Sequence, residues 1–307
     1  MVNLQKFTNL IELLTYFKNE QVCRNYLEKM RWNNQITCPY CKHEKVFKYS
    51  NGKTYCCAGC NKQFSVRVGT IFENSKISLK KWITAIYLIT SHKKGISSIQ
   101  LHKDIGVTQK PAWFMLHRIR FAFRLNKSTD KLSGICEADE TYIGGQEKNK
   151  HKDKKTYGTQ GRSTKTKIAV AGIVERGGEL RAQVVNNTSG KVLKPFIIDN
   201  VKDGGVINTD EWLGYKGLKK IFDHRVVNHN QKQYVNGDAH TNTMESFWAW
   251  LKRGITGIYH SMSRKHIQQY VDEFVFRYNT KDYNENYRFN VMLNNINGRL
   301  TYKQLTN

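Results

Sequence analysis

Four cysteines constrain this chain more than any other feature: Cys38-Pro-Tyr-Cys41, then fifteen residues, then Cys57-Ala-Gly-Cys60. Each Cys-x-x-Cys pair lets two thiolates reach one tetrahedral ion from a tight turn, and two such turns close the site. With four protein ligands no coordination position is left for a substrate, so a Zn2+ here is structural. A redox pair of the thioredoxin kind needs only one such motif, and a second at this spacing argues against it. Cys56 adjoins the second knuckle and is the competing ligand, whereas Cys23 and Cys136 read as ordinary buried thiols. One zinc explains how residues 36–72 become a domain, since so short a segment buries too little apolar surface alone.

The 307 residues exceed one average domain, so two or three are expected. Lys and Arg number 50 against 25 Asp and Glu, a formal charge of +25. Such an excess repels itself unless a polyanion neutralises it, which makes nucleic acid the expected partner, bound with steep salt dependence. No apolar run approaches the roughly 20 residues needed to span a bilayer. The first residues read as an amphipathic helix rather than a signal peptide, so a cytoplasmic protein with no membrane partner is expected.

Apolar spacing divides the rest. Residues 1–35 form a helical segment, with Leu4, Phe7, Leu10, Leu14 and Phe17 in register. Over 76–128, Leu79, Trp82, Ile83, Ile86 and Tyr87 recur at helical spacing. Ser97–Ile105, a break at Gly106-Val107-Thr108 and Gln109–Leu125 then trace a helix-turn-helix outline. Its second helix carries Lys110, His117, Arg118, Arg120 and Arg124, either a phosphate-binding row or a solvated basic face. From 133 the texture becomes α/β. Strands are expected at Ile135–Ile143, Lys167–Val174, Leu180–Val185, Val206–Thr209 and His224–Asn228, and helices at Lys191–Val201, Thr241–Arg253 and Lys265–Tyr278. That order is the order of a ribonuclease-H-like fold. It sets the expectation of a multidomain chain ending in an RNase-H-like catalytic domain with C-terminal helices over 133–307. The basic stretch Gln146–Thr166, with Lys148, Lys150, Lys152, Lys154, Lys155, Arg162 and Lys165, is a DNA-contacting or simply solvated loop.

Three acids stand out against these elements. Asp139 lies in mid-strand, where a carboxyl is costly unless paired or metal-bound. Asp210 directly follows the apolar strand Val206-Ile207-Asn208-Thr209, and Glu245 opens a helix. Lys252 and Trp248 share the helix face of Glu245, Lys252 nearly two turns on. Three carboxylates from separate segments suit Mg2+, with room left for phosphate oxygens, and two ions can serve both the attacking and the leaving oxygen. Lys252 would hold a phosphate as a point charge. Each acid also has a structural reading. Asn242 and Glu245 form a passable capping box, Asp210 can cap a following helix, and Glu137 shares strand parity with Asp139.

At these residues the chain resembles the IS1595-family (ISXO2-like) DDE transposases. The resemblance is carried by the ribbon through Phe64-Ser65-Val66 and Gly69-Thr70, by Lys81-Trp82, and by Asp139-Glu140-Thr141-Tyr142-Ile143-Gly144-Gly145. Thr209-Asp210 with Gly214-Tyr215 follows, then His240-Thr241-Asn242-x-x-Glu245-x-Phe247-Trp248-x-x-x-Lys252-Arg253. It implies a DNA transposase that binds terminal inverted repeats of an insertion sequence, cleaves 3′ ends and joins them to target DNA with Mg2+ or Mn2+. A regulator domesticated from such an enzyme, or a nuclease that cannot join, is the alternative. It further implies double-stranded DNA as partner, a homodimer or larger assembly on it, and a bacterial or archaeal, nucleoid-associated setting. Asp139, Asp210 and Glu245 are the implied metal ligands, with Asn242 the rival third member. Lys110, Arg118, Arg120, Arg124, Trp248, Lys252 and Arg253 are the candidate DNA contacts.

Overall fold

The computed structural model describes residues 6–33, 35–124, 129–145, 149–158, 163–227 and 239–306. The chain divides into two compact units, Met1–Asn126 with Thr280–Asn307, and Lys127–Asn279. Among the described residues no helix is long and apolar enough to cross a membrane.

The first unit begins with α1 (Leu10–Tyr16) and α2 (Glu20–Trp32). The side chains of Asn9 and Asn19 accept the Glu12 and Val22 N–H groups, satisfying donors that a helix start leaves free. The ribbon is an antiparallel sheet of β1 (Val46–Lys48), β2 (Tyr55–Cys57) and β3 (Gln63–Phe64). Its apolar centre is aromatic: Tyr55 stacks on Phe64 at 5.5 Å and meets Trp32 edge-on at 5.4 Å. Three helices follow, α3 (Leu79–Ser91), α4 (Ser98–Ile105) and α5 (Gln109–Arg124). Gly106 ends α4 at φ 61°, the left-handed position that favours glycine, so the expected helix, glycine turn and helix are present.

The basic face expected on α5 is largely interior. Arg118 and Arg120 are buried, at 4% and 1% exposure. Arg118 donates from Nε to the Leu300 carbonyl at 3.0 Å and from Nη1 to those of Ile71 and Glu73, each at 2.8 Å. Three main-chain acceptors offset the desolvation of one guanidinium, which is how Arg is buried without a carboxylate. Arg118 and Arg120 are therefore corrected from DNA contacts to core residues. Lys110 and Arg124 remain exposed.

The second unit is a mixed sheet covered on both faces. It comprises β4 (Cys136–Ile143), β5 (Ile168–Glu175), β6 (Leu180–Val185), α6 (Gly190–Asn200), β7 (Val206–Asp210), β8 (Asp223–Val227), α7 (Asn242–Gly254) and α8 (Ile267–Asn279). The strand order is β6-β5-β4-β7-β8, with β4, β5 and β6 antiparallel and β7 and β8 parallel to β4. Strand alternation sorts the core in two. Cys136, Ala138, Ala171 and Ile173 pack with Leu193 and Ile197 of α6. Val170, Val174 and Leu180 pack with Met244, Phe247 and Leu251 of α7 and Phe274 of α8. Double coverage explains why β5 reads as an almost continuous apolar run rather than an alternation.

After Asn279 the chain returns to the first unit through α9 (Glu285–Asn294) and α10 (Tyr302–Thr306). Tyr26 and Tyr87 donate their hydroxyls to Asn290 Oδ1 at 3.0 Å and Glu285 Oε2 at 2.9 Å. Ile71 N–H bonds the Ile296 carbonyl, and Arg299 pairs with Glu73 at 2.9 Å. The stretch expected as one domain, 133–307, is thus divided after Asn279, because the last helices find their partners in the first unit.

Candidate active site and zinc ribbon

The four ribbon cysteines converge. Cys38, Cys41, Cys57 and Cys60 bring all four sulfurs within 4.8 Å of one another, with Cys38–Cys60 at 3.7 Å and Cys41–Cys57 at 3.5 Å. Four thiolates about 2.3 Å from a tetrahedral Zn2+ would stand at nearly this separation. The two knuckles repeat one geometry. Lys42 N–H bonds the Cys38 carbonyl and Asn61 N–H that of Cys57, with Lys42 and Asn61 at φ 63° and 54°. Cys56 lies on β2 outside this group, and Cys23 and Cys136 are buried, with burial raising both thiols to about 12. Chelating the zinc is expected to unfold residues 38–64, since metal binding in such modules is worth roughly 10–16 kcal/mol and is the folding energy. Metal analysis should give one zinc per chain, and loss of Tyr55–Phe64 near-UV signal on chelation would report the melting.

In the second unit, β4 and β7 run parallel with Glu137 opposite Asn208. Two residues further along each strand stand Asp139 and Asp210, on the sheet face that α7 covers. Burial pushes the Asp139 carboxyl up to about 7, and the charges of Glu140, Asp210 and Glu245 push the same way. Asp210 Oδ1 accepts the Trp212 N–H at 3.0 Å, a local turn bond. Lys252 faces the same group. Burial lowers its ammonium from the ordinary range, Asp139 opposes that, and Lys167 adds to it. Arg253 is exposed one residue further on.

The start of α7 is capped from outside. Glu137, fully buried, accepts the Thr243 and Met244 N–H groups on Oε2 at 2.8 and 3.2 Å and the Thr243 hydroxyl on Oε1 at 2.9 Å. Its charge is met by Arg176 Nε at 2.8 Å, and His240 Nδ1 lies 3.1 Å from Oε1. A carboxylate at a helix N-terminus satisfies free donors and complements the helix dipole. The N-cap is Thr241, with no side-chain cap bond of its own, so the capping box expected from Asn242 and Glu245 does not form. Asn242 is instead exposed in the first turn, and Glu245 Oε1 accepts the Thr241 hydroxyl at 3.2 Å. This separates the two acids of β4 that parity left open, Glu137 holding the helix and Asp139 facing the cluster. Glu140, on the opposite face, accepts the Tyr215 hydroxyl at 2.7 Å.

Trp248, expected at the DNA surface, is buried at 4% exposure and donates its indole N–H to Asp139 Oδ2 at 3.1 Å. It is corrected to a residue that orients Asp139. Glycine at 172, the cross-strand partner of Asp139, makes room for it. A Cβ there would come within 2.5 Å of Met244 Cε and 2.7 Å of Trp248 Cζ2. Gly172→Ala should therefore lower stability by roughly 1–3 kcal/mol through overpacking and shift the Asp139–Trp248 bond. Melting and tryptophan fluorescence would measure both. The basic stretch after Gly145 is described at 149–158, exposed except for the half-buried Lys150, and at 163–166; Lys148 and Arg162 lie outside the described residues.

Residues 131–279 match the family described as ISXO2-like transposase domain, and residues 18–63 the transposase zinc-ribbon domain. The chain is also similar to a Halobacterium salinarum protein described as an uncharacterized protein in transposable element ISH50. The two are 29% identical over 273 residues, covering 85% of this chain and 91% of that protein. No solved structure matches the chain. Residues 18–63 and 131–279 thus belong, in order along one polypeptide, to the zinc-ribbon and ISXO2-like transposase domains of the IS1595 family.

Proposed function

We propose that the chain is a DDE transposase that binds the terminal inverted repeats of its element, cleaves the 3′ DNA ends and joins them to target DNA. The observation that carries this reading is the placement of the acids: Asp139 and Asp210 stand side by side on the parallel strands β4 and β7, on the face that α7 covers with Glu245 and Lys252, and this crowding with burial raises the Asp139 carboxyl. So much negative charge around one half-buried acid is what a divalent cation relieves, and carboxylate oxygens are the donors that Mg2+ or Mn2+ prefers. Asp139, Asp210 and Glu245 would hold two such ions, with Asn242 exposed three residues before Glu245 as the rival third ligand. The three carboxylates stand wider than one ion's shell, since among the described residues only the four cysteines bring all their ligand atoms within 4.8 Å. A pair of ions about 4 Å apart takes ligands from a wider span. When bound, the ions supply charge stabilisation to the phosphate and a more acidic attacking hydroxyl.

The residues of the chain perform the rest. Trp248 fixes the Asp139 carboxylate, Glu137 fixes the helix that carries Glu245, and Lys252 holds a phosphate oxygen on the helix face shared with Glu245. The strand order, with three antiparallel strands and two parallel to the central one, supports an RNase-H-like reading of the second unit. The ribbon, with Lys110, Arg124 and Arg253, would contact double-stranded DNA, and joining two ends calls for a dimer or larger assembly on it. The test is incubation of the full chain with duplexes ending in the inverted repeats that flank its gene, a target plasmid and Mg2+. Joined products are expected. Hydrolysis without joining would reduce the activity to that of a nuclease, and tight binding without nicking to that of a regulator.

A further inference from the structure

Strand β7 carries an amide where its burial favours a hydrocarbon. Asn208 stands two residues before Asp210 and has no exposed surface. Asparagine is depleted in strands, and a buried amide is costly unless hydrogen bonds replace those it made to water. Thr209, on the opposite face of the sheet, meets this demand through His224 Nε2 at 2.8 Å. Asn208 does not: among the described residues neither its Nδ2 nor its Oδ1 has a hydrogen-bond partner. A valine would continue the strand without that cost, so the amide calls for a ligand.

The register names its neighbours. Asn208 lies beside Glu137 of β4 and Arg225 of β8, on the sheet face that α7 covers. Both are engaged elsewhere. Glu137 takes the start of α7 and Arg176, and Arg225 donates to Asp223 Oδ2 from Nε at 3.2 Å and from Nη2 at 2.8 Å. What remains on that face is the next row along β4 and β7, Asp139 and Asp210, about 7 Å on. Exposure falls in the same direction. Asp139 and Asp210 are half-buried, whereas Glu137 and Asn208 have no exposed surface. An ion that must also meet DNA therefore binds at the outer row, and the inner row reaches it through its hydration shell. Mg2+ keeps several waters when carboxylates hold it, and the hydrogen-bond partners behind the direct ligands tune such sites.

We propose that Asn208 is a positioning residue of the metal site, its carboxamide hydrogen-bonded to a water in the shell of the ion held by Asp139 and Asp210. The inference rests on the carboxylate-site reading above. An amide offers a donor and an acceptor without charge, so it orients that water without adding to the repulsion among crowded acids. Asn208 touches neither DNA nor the reacting phosphate.

The experiment compares Asn208→Val and Asn208→Thr in the zinc-loaded full-length chain. These two side chains have nearly one shape and differ by a hydroxyl in place of a methyl group. Mn2+ is the probe, titrated by calorimetry and by loss of its free paramagnetic signal, and melting temperatures are read without Mn2+. Asn208→Val should bind Mn2+ about tenfold more weakly while melting no lower than the unsubstituted protein. Asn208→Thr, which restores one polar atom, should return the affinity to within about threefold. If valine does not fit, the smaller Asn208→Ala replaces it, with the same weakening of Mn2+ binding expected. Unchanged Mn2+ affinity in the apolar variant, or an equal loss in the apolar and threonine variants with lower melting temperatures in both, would overturn the role of Asn208 and leave the carboxylate site standing. No Mn2+ binding by the unsubstituted protein, or binding that Asp139→Asn leaves unchanged, would overturn the carboxylate site itself.

Discussion

Replacing Asp139 with Asn is expected to abolish DNA cleavage and, at the same time, to raise the melting temperature of the metal-free protein. The loss should be at least about a thousandfold if Asp139 holds the reacting ions as proposed. The gain follows from the raised carboxyl. The group moves from 3.8 to about 7 on folding, so the folded state resists its ionisation. Below the unfolded value both states are protonated and nothing is lost; as pH rises from 3.8 towards 7 the unfolded chain ionises first and stability falls. Each pKa unit corresponds to ~1.4 kcal/mol, and with relaxation of the neighbouring acids the full effect above pH 7 is roughly 2 kcal/mol. Asp139→Asn removes that penalty, raising the melting temperature by about 5 °C at pH 8 and by almost nothing at pH 4. Calorimetry of both proteins at the two pH values, with and without Mg2+, checks the sign. Mg2+ should stabilise the unsubstituted protein and leave Asp139→Asn nearly unmoved. Equal melting temperatures at pH 8 would show that the acid is not strained by its surroundings.

Glu137→Ala should be the most damaging single change in the second unit, although Glu137 is placed to touch no substrate. It leaves the Thr243 and Met244 N–H groups without their acceptor and Arg176 without its buried counter-charge. Breaking a buried pair in this way typically costs 3–5 kcal/mol, or about 10 °C for a unit of this size. Glu137→Gln keeps an acceptor for the helix and should recover part of the stability. If Glu137 acts by positioning, Glu137→Gln should need more Mg2+ for half-maximal cleavage, because the start of α7, which carries Glu245, is held less firmly on the sheet. A purely structural role would lower the melting temperature with no change in the Mg2+ requirement at a temperature where both proteins are folded.

Much of this architecture is legible from pattern. The strands expected at Ile135–Ile143, Lys167–Val174 and Leu180–Val185 stand at Cys136–Ile143, Ile168–Glu175 and Leu180–Val185, paired as antiparallel neighbours. The cysteine spacing is similarly decisive, because ligand geometry acts over a few residues. Strand β2 was not anticipated, being three residues long and built around a metal ligand. Other shortfalls have a common cause in distance along the chain. Arg118 looks like a surface cation until carbonyls 47, 45 and 182 residues away are brought to it. Glu137 is a helix cap only because Met244, 107 residues on, folds over it. Periodicity reports which face of an element is covered, not which polar atom meets which, and so Trp248 was expected on DNA rather than on Asp139.

The return of α9 and α10 to the first unit bears on how the molecule comes into being. Synthesis runs from the N-terminus, so the ribbon, α3 and α5 emerge long before Leu300, whose carbonyl receives Arg118. The equilibrium penalty for closing so long a loop is small, rising only about 0.6 kcal/mol per doubling of length, but closure must wait for the intervening chain. Unit Lys127–Asn279 is one continuous stretch of sequence and can complete first. The nascent polypeptide would thus acquire its carboxylate site before its N-terminal half is sealed, and a message truncated near Asn279 would yield the first without the second.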